Sequence, residues 1–164
     1  MPGRGIETLL NVFSRSNSNR HIVFMGYGEL VDQILTFCNK YSNIHFHEAV
    51  PMHEILNYTS SADIGIFYLP GKLCLSYELS LPNKFGEYIL AGIPIVISDN
   101  LTYLKSIIDQ NNLGWNVEDE DGLQTLINDL SLSEYSDKRN YVTDYQRNIG
   151  WEYEEKEYME IYKK

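Results

Sequence analysis

Residues 80–98, with the sequence SLPNKFGEYILAGIPIVIS, predict a short helix, a sharp stop and a buried strand. Pro82 and Asn83 are typical of a helix start. The residues of one helix face then recur at the spacing expected for a helix: Phe85, Tyr88, Ile89 and Gly92. Gly92 is a natural helix end, and Pro94 cannot continue a helix. Ile95-Val96-Ile97 is the β-branched run that a parallel strand covered on both faces requires.

The start of this helix is also a candidate anion site. Backbone N–H groups in the first turn of a helix have no partner within the helix, and they attract phosphates. Glu87 lies about 160° around the helix from Phe85, away from the apolar face. An outward carboxylate beside an open helix N-terminus suits a phosphate that is joined to a group rich in hydroxyls.

Helical and strand patterns alternate along the rest of the chain. The predicted helices cover residues 6–13, 30–38, 51–60, 101–108 and 123–130, and the predicted strands cover residues 21–25, 43–47, 63–69, 95–97 and 114–117. One side of the third helix is formed by Met52, Ile55, Leu56 and Thr59. Residues 70–81 have no clean period and are predicted to form a long loop. This alternation predicts an α/β fold with a doubly wound, Rossmann-like parallel sheet and helices on both faces.

The whole chain, residues 1–164, is predicted to be a single domain that ends in a helical tail at 134–164. Its first element is a helix, whereas a doubly wound domain opens with a central strand. We therefore expect the first central strand to be lacking. That strand belongs between strands 21–25 and 63–69, which then either pair directly or leave a slot for another chain. The tail is expected to expose an aromatic face that favours self-association: Trp151, Tyr158, Ile161 and Tyr162.

Composition limits the classes of partner. The 164 residues are 43% hydrophobic and 22% charged, which is typical of a globular domain. The net charge of −10, from 13 basic and 23 acidic residues, disfavours binding to nucleic acid or to an anionic membrane by charge alone. Any anion must therefore be held locally. Cys38 and Cys74 are the two cysteines, and no signal peptide or membrane-span pattern is seen, so we expect a reduced, cytoplasmic location.

Segment 80–98 also resembles a family signature, the donor-binding segment of retaining GT-B glycosyltransferases. This group includes the sugar transferases of bacterial polysaccharide and O-antigen synthesis. Residues 4–10 resemble the family's opening helix, Gly26-Tyr27-Gly28 its first turn, and residues 43–50 its second strand and turn. The resemblance runs from Arg4 to about Leu130. It implies that the chain is the C-terminal half of a GT-B fold and that the N-terminal, acceptor-binding domain is absent.

The resemblance implies a role for each matching residue. Arg4 would contact the terminal phosphate of the nucleotide, since its guanidinium suits phosphate oxygens. Gly26 and Gly28 would let the backbone turn close to the ligand, and the backbone at Val50 would bind the nucleobase. The remaining residues belong to the helix: the amides of Asn83, Lys84 and Phe85 would hold the diphosphate, and Glu87 would hold the ribose hydroxyls.

Two features of the sequence do not fit a simple site. The family's first glutamate, eight residues before the second, corresponds here to Leu79, and Glu78 is the neighbouring candidate for contact with the sugar. His45 and His47 share a strand face, but no third ligand follows at a recognisable spacing. We therefore predict no metal site and interpret both as ordinary strand histidines.

The substrates follow from the resemblance. The expected donor is a nucleoside-diphosphate sugar, with a UDP-sugar favoured over a GDP-sugar, and no tightly bound cofactor is expected. The acceptor would be a glycan or a lipid-linked molecule, held by the absent N-terminal domain. The full enzyme would be a hexosyltransferase that retains configuration, and it would associate peripherally with the inner face of the membrane. The chain by itself is expected to be inactive.

Two other hypotheses remain open. The first is an NAD-binding Rossmann domain, because Gly26-Tyr27-Gly28 is followed by Glu48 about 20 residues later. Against it, Val31 stands where that motif has its third glycine, and a helix precedes the motif. The second is a non-catalytic scaffold derived from a glycosyltransferase, which the loss of the first glutamate at Leu79 favours.

Overall fold

The computed structural model describes residues 5–72 and 74–147, which alternate between helices and strands. The helices are α1 (Ile6–Arg15), α2 (Val31–Lys40), α3 (Ile55–Thr59), α4 (Leu75–Glu78), α5 (Asn83–Leu90), α6 (Thr102–Asn111), α7 (Glu120–Asp129) and α8 (Leu132–Gln146). The strands are β1 (Ile22–Gly26), β2 (Ile44–Glu48), β3 (Gly65–Phe67), β4 (Ile95–Ser98) and β5 (Gly114–Val117). A short 3-10 turn, Met52–Glu54, precedes α3.

All strand pairs are parallel, and helices cover both sides of the sheets, as predicted. Strands β1 and β2 form one sheet, and β3, β4 and β5 form a second sheet with β4 in the centre. Strands β1 and β3 do not pair directly with each other. The two sheets nevertheless share one hydrophobic cluster, which contains α1 and side chains from both sheets. The break in pairing therefore falls between the two strands that were expected either to pair directly or to leave a slot.

Strand β4 has a hydrophobic core on each side, which explains its continuous apolar run. Ile95, Val96 and Ile97 are completely buried. Ile95 and Ile97 pack in the cluster with α5, α6 and α8, whereas Val96 packs in the cluster with α1, α2 and α7. Because successive side chains in a strand point to opposite faces, a strand with a core on each side must be apolar throughout.

Helix α5 ends as its sequence predicts. Gly92 has a φ of 70°, a left-handed conformation that glycine adopts readily. The Gly92 N–H donates to the carbonyl of Ile89 at 2.9 Å, and the Ile93 N–H donates to that of Tyr88 at 3.1 Å. These two bonds form a Schellman cap, which turns the chain from α5 directly into β4.

Two local predictions need correction, and a third lies largely outside the described residues. The segment predicted as one helix at 51–60 is a 3-10 turn followed by the short α3, and it contains no buried residue: Met52 is 84% exposed and Leu56 is 39% exposed. Apolar residues at helical spacing become buried only where another part of the protein packs against them. The predicted loop at 70–81 contains the one-turn helix α4. The tail helix α8 begins at Leu132, and Trp151, Tyr158, Ile161 and Tyr162 lie outside the described residues.

Candidate functional site

The turn after β1 is built from two glycines in conformations that other residues rarely adopt. The φ angles of Gly26 and Gly28 are 145° and 150°. A Cβ atom at either position would meet nothing within 4 Å, so open space, and not crowding, surrounds the turn. The positive φ angles are therefore the reason for glycine at both positions. The open space leaves the backbone of the turn accessible. Tyr27, between the two glycines, is 92% exposed.

A small cleft opens beside this turn. Its volume is about 130 Å³. Its walls come from the turn, from the start of α2 and from apolar side chains below them, which include Ile6, Phe24, Ile34 and Phe46. In parallel sheets, ligands bind outside the carboxyl ends of the strands, at the point where the strand order reverses. The cleft lies at the carboxyl end of β1, next to the break between the sheets.

The second part of the candidate site is the N-terminus of α5. Pro82 occupies the N-cap position with an extended ψ of 147°, and no side chain caps the helix. The Phe85 N–H donates to the carbonyl of Pro82 at 2.9 Å. Within the described part of the chain, no hydrogen bond occupies the N–H groups of Asn83 and Lys84. These two amides, together with the positive end of the helix dipole, are available to an anion, whereas the amide of Phe85 is already engaged.

Lys84 and Glu87 meet on the exposed side of α5. The Lys84 Nζ lies 2.7 Å from the Glu87 Oε2, and the two side chains are 48% and 24% exposed. An exposed pair of this kind contributes only about 0–1 kcal/mol. A ligand with a phosphate for the ammonium and hydroxyls for the carboxylate would therefore open the pair at small cost.

The buried face of α5 fixes the helix against β3. Phe85 is 6% exposed and Ile89 is completely buried. The Tyr88 hydroxyl donates to the carbonyl of Ile66 at 3.2 Å, and burial raises the pKa of Tyr88 to about 12. The ring of Tyr88 lies directly over Gly65, which has no side chain to displace it. The N-terminus of α5 is thus held by packing that the glycine permits.

A polar network at the ends of β3 and β4 was missed from the sequence. Ser98 is buried, and its Oγ accepts a hydrogen bond from the Leu69 N–H at 3.0 Å. The Asn100 Nδ2 donates to the carbonyl of Leu69 at 2.9 Å and to that of Gly71 at 2.7 Å. The network fixes the start of the segment that leads to α4 and α5. The only signal was a polar Ser-Asp-Asn run after a buried strand, which is also typical of ordinary turns.

Acidic groups surround the carboxyl ends of the second sheet. Burial raises the pKa of Tyr68, and the charges of Asp119, Glu120 and Asp99 raise it further. An anionic ligand is disfavoured near these carboxylates. For an anion, the electrostatics therefore favour the N-terminus of α5 over the ends of β4 and β5.

The remaining predicted site residues are Val50, Glu78 and Arg4. Val50 is half-buried and lies just after β2, the strand that pairs with β1. Glu78 ends α4, and its carbonyl accepts a hydrogen bond from the Thr102 Oγ1 at 3.2 Å, while Leu79 is 57% exposed. Within residues 5–72 and 74–147, the Glu78 carboxylate forms no hydrogen bond or ion pair. Arg4 lies outside the described residues.

One of the two strand histidines, His45, pairs with a third histidine, His21. The His21 Nδ1 lies 2.8 Å from the His45 Nε2, and the two rings stack with their centroids 5.1 Å apart. The His47 ring lies 4.8 Å from the Tyr58 ring. In the described part of the chain, no group of three or more potential metal ligands comes together. No helix there is both long and apolar enough to cross a membrane.

Comparison with known proteins agrees with this architecture. Residues 12–160 match the family described as "Glucosyltransferase 3-like, C-terminal domain". The chain is 25% identical over 93 residues to glucosyltransferase 3 of Streptococcus parasanguinis, a match that covers 57% of this chain and 28% of that protein.

A solved structure shares the fold. The chain is similar to WaaG, a glycosyltransferase involved in lipopolysaccharide biosynthesis, with a TM-score of 0.68 and 14% sequence identity. The similarity covers 90% of this chain and 40% of WaaG. At this identity the likeness shows the fold alone. It confirms the prediction of an α/β domain like the C-terminal half of a GT-B glycosyltransferase.

Proposed function

The chain belongs to the glucosyltransferase 3-like C-terminal domain family, and from that premise we propose that it binds the nucleotide-sugar donor of a glycosyltransferase. The observation that carries the proposal is the N-terminus of α5. The amides of Asn83 and Lys84, which no hydrogen bond occupies among the described residues, lie one turn from the Glu87 carboxylate. The amides suit the diphosphate of a nucleoside-diphosphate sugar, and the carboxylate suits the ribose hydroxyls.

Binding opens the ion pair on α5. The diphosphate takes the Lys84 ammonium, and the ribose hydroxyls donate to the Glu87 carboxylate. This exchange gives a chain with a net charge of −10 a local site for an anion. The same amides stabilise the negative charge that develops on the leaving diphosphate, which is the catalytic contribution of this half of the enzyme. Arg4 would add a second cation.

We propose that the sugar is a hexose, carried by UDP in preference to GDP, and that it is transferred with retention of configuration. The acceptor, a glycan or a lipid-linked molecule, would be held by a second domain. The chain alone would then bind the donor and transfer little or no sugar. The full enzyme would act in the cytoplasm, at the inner face of the membrane.

Isothermal titration of the purified chain with UDP, GDP, ADP and NAD, without added metal, tests the donor site. We expect one nucleoside diphosphate to bind with a 1:1 stoichiometry, and Glu87→Ala to weaken it about tenfold, which corresponds to about 1.4 kcal/mol. Lys84→Ala should weaken it as well.

Lys105→Ala is the matched control for Lys84→Ala. Lys105 also pairs with a carboxylate, that of Asp99 at 3.5 Å, and its side chain is 38% exposed. This variant should bind as the wild type does. Tight binding of NAD would instead favour the dinucleotide hypothesis. A folded chain that binds none of the four would contradict the proposal and favour the scaffold hypothesis.

A further inference from the structure

The most exposed tyrosine near the candidate site has no structural role in the described part of the chain. Tyr27 is 92% exposed, although it follows directly on a strand with a buried start. Its neighbours Gly26 and Gly28 both have positive φ angles and open surroundings. A large aromatic side chain in water gains nothing from folding, because its apolar surface stays hydrated. A strained turn that presents such a ring points to a function in binding.

The position of the turn limits what the ring can meet. Gly26 pairs with Glu48 in the parallel register of β1 and β2, so Tyr27 and Val50 follow the ends of adjacent strands at the same sheet edge. That edge borders the break between the sheets, where ligands of open parallel folds bind. Tyr27 also belongs to the wall of the cleft of about 130 Å³.

The size and lining of the cleft indicate the ligand group. Sites that enclose a whole small molecule have volumes of roughly 300–1,000 Å³, so the cleft takes one ring system and not an entire nucleotide. Its floor is apolar, with Ile6, Phe24 and Phe46. The backbone groups of the turn supply the hydrogen bonds that a base edge needs. A flat, partly polar ring fits this combination, whereas a diphosphate does not.

We propose that Tyr27 stacks on the nucleobase of the donor and closes it into the cleft beside the Gly26–Gly28 turn. This inference rests on the proposed donor-binding function and names the residue that holds the base. The free chain presents the ring to solvent, and binding buries one of its faces. The two open glycines allow the backbone to adjust as the ring closes. The small volume favours a pyrimidine over a purine.

Titration with UDP tests the proposal, with inorganic pyrophosphate as the second ligand. Removing an aromatic ring that stacks on a base costs about 1–3 kcal/mol in other base-binding proteins, so Tyr27→Ala should weaken UDP binding about tenfold or more. Tyr27→Phe keeps the ring that stacks on the base and should bind within about twofold of the wild type. Affinity for pyrophosphate, which has no base, should be equal in all three proteins. Tyr141→Ala, which removes a half-exposed tyrosine of α8, is the matched control.

Nuclear magnetic resonance distinguishes direct stacking by Tyr27 from a merely structural role of this residue. In the complex, the base protons of UDP should shift upfield and show contacts to the ring protons of Tyr27. If the wild type binds UDP but Tyr27→Ala binds it equally well, the stacking proposal is overturned and the donor site stands. If the wild type binds pyrophosphate but discriminates against UDP, the base site is overturned as well. If it binds neither ligand, both proposals fail.

Discussion

Adding one methyl group at Gly65 tests how helix α5 is held against the sheet. An ideal Cβ at Gly65 would lie 2.4 Å from the Cγ and Cδ2 atoms of Tyr88. These atoms form the base of the ring, which cannot swing away as a flexible chain end would. The ring is also held by the hydrogen bond from its hydroxyl to the Ile66 carbonyl. We expect Gly65→Ala to push Tyr88, and α5 with it, away from β3.

The expected magnitude is a balance of two effects. Inserting a methyl group into a packed core costs about 1–3 kcal/mol. Gly65 has no positive φ, and replacing glycine by alanine inside a strand otherwise stabilises it by roughly 0.5–1 kcal/mol. The free energy of unfolding should therefore fall by about 1–2 kcal/mol, a considerable part of the roughly 5–15 kcal/mol that is typical of folded proteins.

Urea unfolding of a double-mutant cycle measures this effect. In a Tyr88→Ala background the ring is gone, so Gly65→Ala should cost less than about 0.5 kcal/mol or stabilise the protein. In a Tyr88→Phe background the ring remains, and the full cost should persist. An equal cost in all three backgrounds would show that the Tyr88 ring does not limit the space at Gly65. Gly65→Ala should also weaken the binding of a nucleoside diphosphate, since it displaces the N-terminus of α5.

Three further predictions concern stability. Ser98→Ala leaves the buried Leu69 N–H without its acceptor and should lower the free energy of unfolding by about 1–3 kcal/mol in urea titrations; an unchanged midpoint would contradict the network. Burial raises the pKa of Tyr88 from 10.0 to about 12. The native state therefore keeps a proton that the unfolded state loses, and stability should fall as the pH rises from 10 to 12, by up to about 3 kcal/mol. Tyr88→Phe should abolish that part of the decline, and identical alkaline profiles would argue against it. Ser131→Ala removes the N-cap of α8 and should cost about 1 kcal/mol near neutral pH. Hydrogen bonds from Ser131 hold the pKa of Glu134 below its ordinary 4.5. The ionised carboxylate's stabilisation is thus present above that pH and is lost as the pH falls through the lowered pKa. The difference between Ser131→Ala and the wild type should narrow in acid, and a difference that does not change with pH would count against the capping box.

Most features of the candidate donor site that depend on neighbouring residues could be predicted from the sequence. The open N-terminus of α5 was predictable from Pro82 and Asn83, because helix starts are encoded within a few residues. The pairing of Lys84 with Glu87 is also local, since residues three apart on a helix are neighbours. The engaged amide of Phe85 was not foreseen, although its bond to the Pro82 carbonyl is equally short in range. Roles for individual residues in donor binding stay predictions until a ligand is titrated.

Local sequence patterns were sufficient to predict most of the helices and strands, the buried central strand and the end of α5. Each of these depends on periodicity or on one glycine or proline, which act within a few residues. Three other features depend on contacts between distant parts of the chain: the break between β1 and β3, the packing of Tyr88 over Gly65, and the hydrogen bonds that Ser98 and Asn100 form with the segment after β3. Tyr88 and its hydrogen-bond partner Ile66 are 22 residues apart along the chain, and Asn100 and Leu69 are 31 residues apart. No local pattern specifies them, because packing brings together side chains whose separation along the chain carries no signal.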